Sequence, residues 1–422
     1  MKIQRGTLLF WSVFLGFIVL VQVLVGAGIL SNFWATLLKI GAVMSIVSLG
    51  LNLIYGFNGQ FSLGQWGFYA IGAYTAADIT YRWTQLHNAS GLVVILLVVL
   101  LVGIAFFLVA KIVTRLRGLD ALSSFTLYLI GLLIAALSAV FAGKSLIAPI
   151  TNILNTLPPS IALQIVFFLA VLLGGCIAAE ISYIFGLPVL TLGSDYFGIA
   201  TLGFTIIVKV LLDNSDTLLG FTEMKGARGM VGIPKLTTWI WVAFFLVVVI
   251  IVTRNLLHSS HGRAMVSVRE DEIAAKAMGI NVAQQKTITF VLGSFFAGLA
   301  GALYAHVNGF LHPNTFNFIK SFDPMIIIVF GGLGSVSGTV VAAFTWALVL
   351  EGLLRIVLPQ GFETWRFVVY PLLLLIMMLL RPQGLFGTFE FPFLRQVLPP
   401  PFQPRETAHP VHKTEDTLES GA

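Results

Sequence analysis

Charge is what this chain has least of. Only 10% of its 422 residues are Asp, Glu, Lys or Arg, against roughly 25% in an ordinary soluble domain. So few charges cannot coat a water-facing surface, and a soluble globular fold is excluded. Cysteine is nearly absent as well. Cys176 stands alone inside an apolar run, which rules out an intrachain disulfide and leaves it the part of a small core residue. No Walker A loop occurs, because the glycine cluster Gly331–Gly338 lacks the lysine that would hold phosphates. No line of acids crosses the apolar runs to suggest a proton relay. No cluster of nucleophile, base or metal ligands suggests a membrane enzyme. His258 and His261 lack a third ligand of the kind zinc needs, and His306 and His312 earn no metal reading either.

What the chain does have is apolar length. Hydrophobic residues make up 58% of it, with a mean hydropathy of +0.96. A bilayer core of about 30 Å takes roughly 20 helical residues to cross, and Leu8 to Leu30 meets that length without one charge. In lipid every backbone polar group must be satisfied internally, so only helices or a closed barrel remain. Runs apolar on every face exclude the alternation of a barrel. The expected fold class is therefore all-α: a polytopic integral membrane helical bundle of about ten to twelve spans, some short or broken. The candidate spans are Leu8–Leu30, Phe33–Tyr55, Gln65–Thr80, Gly91–Ile112, Ala121–Gly143, Ile161–Tyr183, Asp195–Leu212, Trp239–Val252, Val282–Ala305, Pro324–Leu333, Val340–Ile356 and Trp365–Leu380. The third and tenth are short or glycine-rich and are expected to be broken or re-entrant. Lys2 and Arg5 ahead of Leu8 imitate a signal peptide, yet the run is about twice the usual length; a retained first helix is expected.

The net charge of +6 reflects loops between spans, not nucleic-acid binding. With the N-terminus inside, cytoplasmic loops carry Lys111, Arg115 and Arg117, then Arg254 through Lys286, then Arg381 and the tail. The outer loops hold Arg82, Lys144, Lys225, Arg228, Lys235 and Lys320. An even span count places both termini in the cytoplasm. Two domains are expected: a transmembrane unit over 1–390, with a cytoplasmic loop at 255–285, and a Pro-rich disordered cytoplasmic tail over 391–422. Within the spans, Asp78, Glu180 and Lys209 fall near helix ends, and Glu351 and Arg355 are spaced to pair.

Two stretches read alike. Asn52 to Gly64 and Ile328 to Gly338 are apolar runs that break into glycine, serine and amides, then resume. Paired interruptions in two halves point to a translocation site near the midplane, although glycines that only let helices approach fit the same text. Gln60, Ser62 and Gln65, with Ser335 and Ser337, are the candidate substrate-pathway residues. Small residues at four-residue spacing on the ninth span (Ser294, Gly298, Ala302; Ala297, Gly301, Ala305) suit either a subunit interface or packing within the chain.

The loop carries the most specific text. Ser267 and Glu270 fit a capping box, acidic residues Glu270, Asp271 and Glu272 follow, Glu272 and Lys276 are spaced to pair, and Gly279 supplies a left-handed cap. They predict one helix of about eleven residues, too short to span a membrane. Asn281, with Gln284 three residues on, opens the next span. Glu272-Ile-Ala-Ala-Lys-Ala-Met-Gly279 resembles the EAA loop of ABC importer permeases. Its surroundings, with Asn52–Tyr74, Gly193–Phe204 and Arg381-Pro-Gln-Gly-Leu-Phe-Gly387, are similar to the LivM-type branched-chain amino-acid permeases. The resemblance implies a permease without its own ATPase site. It implies Arg269, Glu270, Asp271, Glu272, Ala274, Ala275 and Gly279 as the coupling residues, and no cofactor bound by this chain, with ATP and Mg on partner subunits. It also implies a second related permease, two ATPase subunits and an extracytoplasmic substrate-binding protein, in a bacterial cell membrane. Urea or short amides as cargo, and an ion-coupled secondary transporter, are the alternatives. Two departures stand out: Glu223-Met224-Lys225, where small glycines are usual, and a region at 111–160 longer by about two spans.

Overall fold

The computed structural model describes residues 16–353, except 17, 116–120, 218, 219 and 222, and beyond them 356, 368, 372, 375, 376, 379–381, 383–385, 387 and 390. Residues 1–15, Arg117, Arg355, most of the Trp365–Leu380 span and the 391–422 tail lie outside the described residues, with the expectations placed on them.

The chain is a helical bundle. Helix α1 (Asn32–Leu51) runs on through a π-helical turn at Asn52–Phe57, and α2 (Gln65–Gln85), α3 (Ser90–Arg115), α4 (Ala121–Asn155), α5 (Pro159–Val189), α6 (Ser194–Asp213) and α7 (Trp239–His258) follow. Two short helices, α8 (Ser260–Glu270) and α9 (Glu272–Ala277), precede the long α10 (Val282–Asn308). Next come a half-length α11 (Phe322–Gly331) and α12 (Val336–Thr345), the latter ending in a second π-helical turn at Trp346–Leu353. Among the described residues the only strands are β1 (Met230–Val231) and β2 (Phe310–Leu311), paired antiparallel. Among the described residues eight of these helical stretches are long and apolar enough to cross a membrane, the helix being a form that satisfies its backbone within the segment, as lipid demands.

Helix α10 is the axis of the bundle, gripped by α1, α2 and α5. Its small stripe, Ser294, Ala297, Gly298, Gly301, Ala302 and Ala305, is wholly buried within the chain. The close approach is backbone to backbone. A Cβ at Gly72 would lie 2.1 Å from the Gly298 carbonyl oxygen, one at Gly298 would lie 2.7 Å from that of Gly174, and one at Gly174 would lie 2.8 Å from that of Gly72. Three helices thus meet at three glycines. His306 adds a polar tie: Nδ1 donates to the Ala302 carbonyl at 2.7 Å, which leaves Nε2 of the neutral ring as acceptor for the Thr80 hydroxyl at 2.8 Å.

Two expectations about spans need correction. The stretch at Gln65–Thr80 is not broken: α2 is continuous for 21 residues, because its glycines face neighbours instead of bending the backbone. Gly67 lies against Phe204 and Gly72 against Gly298. Nor does the fifth span end at Gly143. Helix α4 continues for 35 residues through Pro149, since in lipid one bond lost to proline is less costly than the several that an early stop would orphan. The extra 111–160 region is mostly this helix, which packs chiefly on α3 at the bundle's edge and turns most of its apolar surface outward.

Candidate coupling and translocation site

The two interrupted stretches meet, and one side chain joins them. The amide of Asn52 donates to the Ser335 carbonyl at 2.9 Å and to the Thr339 hydroxyl at 2.9 Å, and its oxygen accepts from the Gly334 N–H at 2.9 Å. Asn52 is fully buried, so every polar atom of its amide is satisfied by the other break. The chain between α11 and α12 turns through Gly332 (φ +114°) and Gly334 (φ +82°), conformations that side chains rarely adopt. Gln383, Gly384 and Gly387 lie against Gly332 of this turn, and the Leu385 N–H donates to the Phe330 carbonyl at 2.8 Å. Glu390 then caps α12, accepting from the Val336 and Ser337 N–H groups and from the Ser337 hydroxyl, where a carboxylate meets the positive end of the helix.

The loop between α7 and α10 differs from the single helix its sequence predicts. Ser267 is not a cap. Helix α8 starts earlier, with the Ser259 hydroxyl accepting from the Gly262 N–H at 3.3 Å, and Ser267 sits inside it. The break falls at Asp271, whose extended backbone ends α8 and whose carboxylate accepts from Ile273 N–H at 2.8 Å and Ala274 N–H at 2.9 Å to start α9. Glu272 pairs with Lys286 of α10 at 2.7 Å, not with Lys276. Gly279 does turn left-handed (φ +81°), and Asn281 does cap α10 through Gln284 N–H at 3.1 Å. Ala275 is buried with Val268 and Val282, fixing α9 against its neighbours, while Glu270 and Ala274 face solvent. Substituting Asp271 by alanine removes both cap bonds at a cost of about 1 kcal/mol. The expected outcome is faster hydrogen exchange over 272–277 with α10 protection unchanged.

Arg269, the penultimate residue of α8, reaches from the loop into the meeting point. Its guanidinium Nη1 donates to the Gly56 carbonyl. A Cβ at Gly59 would lie 3.3 Å from the Arg269 side chain, and one at Gly334 would lie 3.1 Å from Nη1. One loop arginine therefore touches both breaks. Around it opens a cavity of about 530 Å³ lined by Asn58, Gln60, Phe197, Arg269, Glu272 and Lys286, among others. Of the expected pathway residues only Gln60 lines it. Ser62 accepts from the Gly64 N–H, and Gln65 is fully buried. Ser335 caps α12 by accepting from Gly338 N–H at 3.0 Å, and Ser337 is bound to Glu390.

At the opposite end of the bundle, Arg82 chelates Asp78 at 2.9 Å and reaches Glu223 at 3.2 Å, which accounts for the unusual acid in the 220–234 loop. Lys209 pairs with Asp213 at 2.8 Å. Here lies a second cavity, of about 400 Å³, between α1, α2, α10, the 315–323 segment and the π turn after α12. Its residues are scattered over the sequence and carry no motif. A further feature escapes the sequence reading although it is nearly legible there: Ile273 and Met278, on and just after α9, are 82% and 83% exposed. Bare apolar side chains are expected where spans face lipid; this pair lies instead on a polar loop.

A multi-pass helical bundle with paired breaks at its centre and a self-capped loop helix touching them is the architecture of a membrane permease. The profile of the family described as "Branched-chain amino acid transport system / permease component" matches residues 33–163 and 126–378. The high-affinity branched-chain amino acid transport system permease proteins LivM of Salmonella typhimurium and Escherichia coli are each 27% identical over 374 residues, covering 81% of this chain and 67% of theirs. The LivH permease protein of the Salmonella typhimurium system is 28% identical over 179 residues, 42% of this chain and 55% of LivH. No solved structure matches the chain. The chain belongs to the branched-chain amino acid permease family and is of the LivM type.

Proposed function

We propose that the chain is the membrane subunit of an ATP-binding-cassette importer for branched-chain or similar small amino acids, with ATP hydrolysed on separate subunits. The observation that carries this reading is the loop surface of Ile273 and Met278 beside Arg269. An exposed apolar pair on and just after a capped, six-residue helix suits the cleft of an ATPase subunit, and Arg269, at the end of the preceding helix, extends to both broken spans. ATP-driven closure of two ATPases would carry α8 and α9 with it. The shift would pass through Arg269 to the Asn52 joint and open the bundle alternately to each side. A second permease of the same family completes the pore, consistent with similarity to both LivM and LivH proteins. An extracytoplasmic binding protein delivers substrate at the end that bears Lys225 and Arg228, and the loop end faces the bacterial cytoplasm with both termini.

The test is a mild-detergent pull-down of the tagged chain from its native membrane, compared with an Ile273→Asp, Met278→Asp double variant. Recovery of ATPase subunits with the native chain, lost in a variant that keeps its thermal midpoint, is the expected result. A chain recovered alone and without ATPase activity would instead indicate an ion-coupled transporter.

A further inference from the structure

We propose that the segment 381–390 is a releasable clasp on the turn between α11 and α12, positioned by Glu390, and that the clasp must let go for the two broken spans to change shape during transport. The inference rests on the permease reading above and adds a moving part to it. Three segments meet this turn. Asn52 bonds to it from the π-helical turn after α1, and Arg269 lies against it from the loop. The third is 381–390, from the far end of the sequence. That segment closes a turn of its own, with the Gly384 N–H donating to the Arg381 carbonyl at 3.0 Å and the Arg381 guanidinium to the Leu385 carbonyl at 3.2 Å. It seats backbone on backbone: a Cβ at Gly384 would lie 2.7 Å from the Gly332 Cα and 2.8 Å from the Val329 carbonyl oxygen. Glu390 completes the hold, accepting from the Val336 N–H at 2.5 Å, the Ser337 N–H at 3.1 Å and the Ser337 hydroxyl at 2.6 Å.

Two observations distinguish a clasp from a permanent staple. First, α12 does not depend on Glu390 for its start. The helix carries a cap of its own, the Ser335 hydroxyl accepting from the Gly338 N–H at 3.0 Å, and this is the usual device for a helix N-terminus. Glu390 adds a second cap from 53 residues beyond Ser337, so its effect falls on where 381–390 sits. Second, the hold is polar. Among the described residues of the segment only Gly384 is buried, and it has no side chain, while Leu385 is 41% exposed. Release of these residues therefore uncovers little apolar surface, and segments with few buried apolar contacts open locally at small cost in free energy. The turn beneath is built to move as one piece: a Cβ at Gly331, the end of α11, would lie 2.5 Å from the carbonyl oxygen of Gly338 in α12. Gly384 (φ +80°) and Gly387 (φ +54°) place left-handed bends where the clasp meets the turn. A displacement of Arg269 thus moves the turn only when the clasp yields. Return of the Glu390 carboxylate to the positive end of α12 then restores one fixed position.

The experiment uses the whole complex, with its ATPases and partner permease in proteoliposomes and the binding protein outside, and follows labelled leucine uptake together with ATP hydrolysis. Leu333→Cys on the turn and Leu385→Cys on the clasp, both at exposed positions, are joined in a Cys176→Ser background by a short bifunctional methanethiosulfonate, and mass spectrometry identifies the link. Joining the pair should stop uptake, and reductant should restore it. The unjoined variant should transport as the Cys176→Ser chain does. A joined complex that carries leucine at the unjoined rate would overturn the proposal. Glu390 supplies a second measurement that needs no link. Glu390→Ala should raise the ATP hydrolysed per leucine carried about threefold or more with the thermal midpoint unchanged, and Glu390→Asp, which keeps the charge, should recover much of the coupling. An unchanged ratio in Glu390→Ala would remove Glu390 from the positioning role and overturn the clasp as stated. A native complex that hydrolyses ATP but carries no leucine overturns the permease reading beneath it, and is recognisable because the failure then precedes any substitution or link.

Discussion

Replacing Arg269 by alanine should leave the complex assembled and hydrolysing ATP while amino-acid uptake falls by about ten- to a hundredfold. The expectation follows from where its atoms lie. The backbone of Arg269 belongs to the loop, at the end of α8, but its Nη1 donates to the Gly56 carbonyl and lies against Gly334. The two broken stretches, already tied to each other through Asn52, thus receive any displacement of the loop through one planar group. The Ile273 and Met278 surface is untouched by the substitution, so binding of the ATPases should survive. Lysine should not rescue transport, because a point charge on a flexible stem cannot hold the geometry of a guanidinium fork wedged between two glycine turns. The measurement is uptake and ATP hydrolysis on the same proteoliposomes. Normal uptake in Arg269→Ala would mean that coupling travels by another route, the Glu272–Lys286 ion pair being the next contact to test.

The parts of this arrangement that are legible in the sequence are those written locally. Glycine at 279, an Asn281 cap followed by Gln284, and two apolar runs dissolving into glycine and serine each specify a conformation within a few residues, and each is present. The loop helix departs from its predicted place because local signals compete. Ser267-x-x-Glu270 has the letters of a capping box, but Ser259 nucleates a turn eight residues earlier, and Asp271 uses its carboxylate on the next helix. Both segments favour helix, so nothing in their composition marks the join. The continuity of α2 is illegible because its glycines are explained by Phe204 and Gly298, which approach from other helices. The π turns carry no local signature. The cavity residues Trp66, Lys320, Trp346 and Glu351 come together only once the 315–323 segment folds back over α2, where the Trp66 indole donates to the Thr315 carbonyl at 3.0 Å.

The glycines at the centre give the largest expected effect on stability. Gly72→Ala should cost about 3 kcal/mol or more, and the folded chain should be largely lost from detergent extracts. The added methyl has no flexible side chain to displace. It would lie 2.1 Å from the Gly298 carbonyl oxygen and 2.5 Å from the Gly298 Cα, so α2 and α10 must separate. Separation is not a local adjustment, because Gly298 in turn rests on Gly174 and Ala178, and Gly301 on the Tyr69 carbonyl. In lipid no hydrophobic force between helices compensates, since tails solvate an apolar face as well as another helix does; association depends on close packing and polar contacts. The Thr80–His306 bond, which crosses the same interface, would be stretched with it. Gly103→Ala is the matched control. It lies in α3 with nothing within 4 Å of where the new methyl would sit, and removing a helical glycine there should be neutral or mildly stabilising. Thermal midpoints of the two variants, followed by fluorescence-detected size exclusion, decide the matter: equal midpoints would mean that the three-glycine contact is looser than its geometry implies.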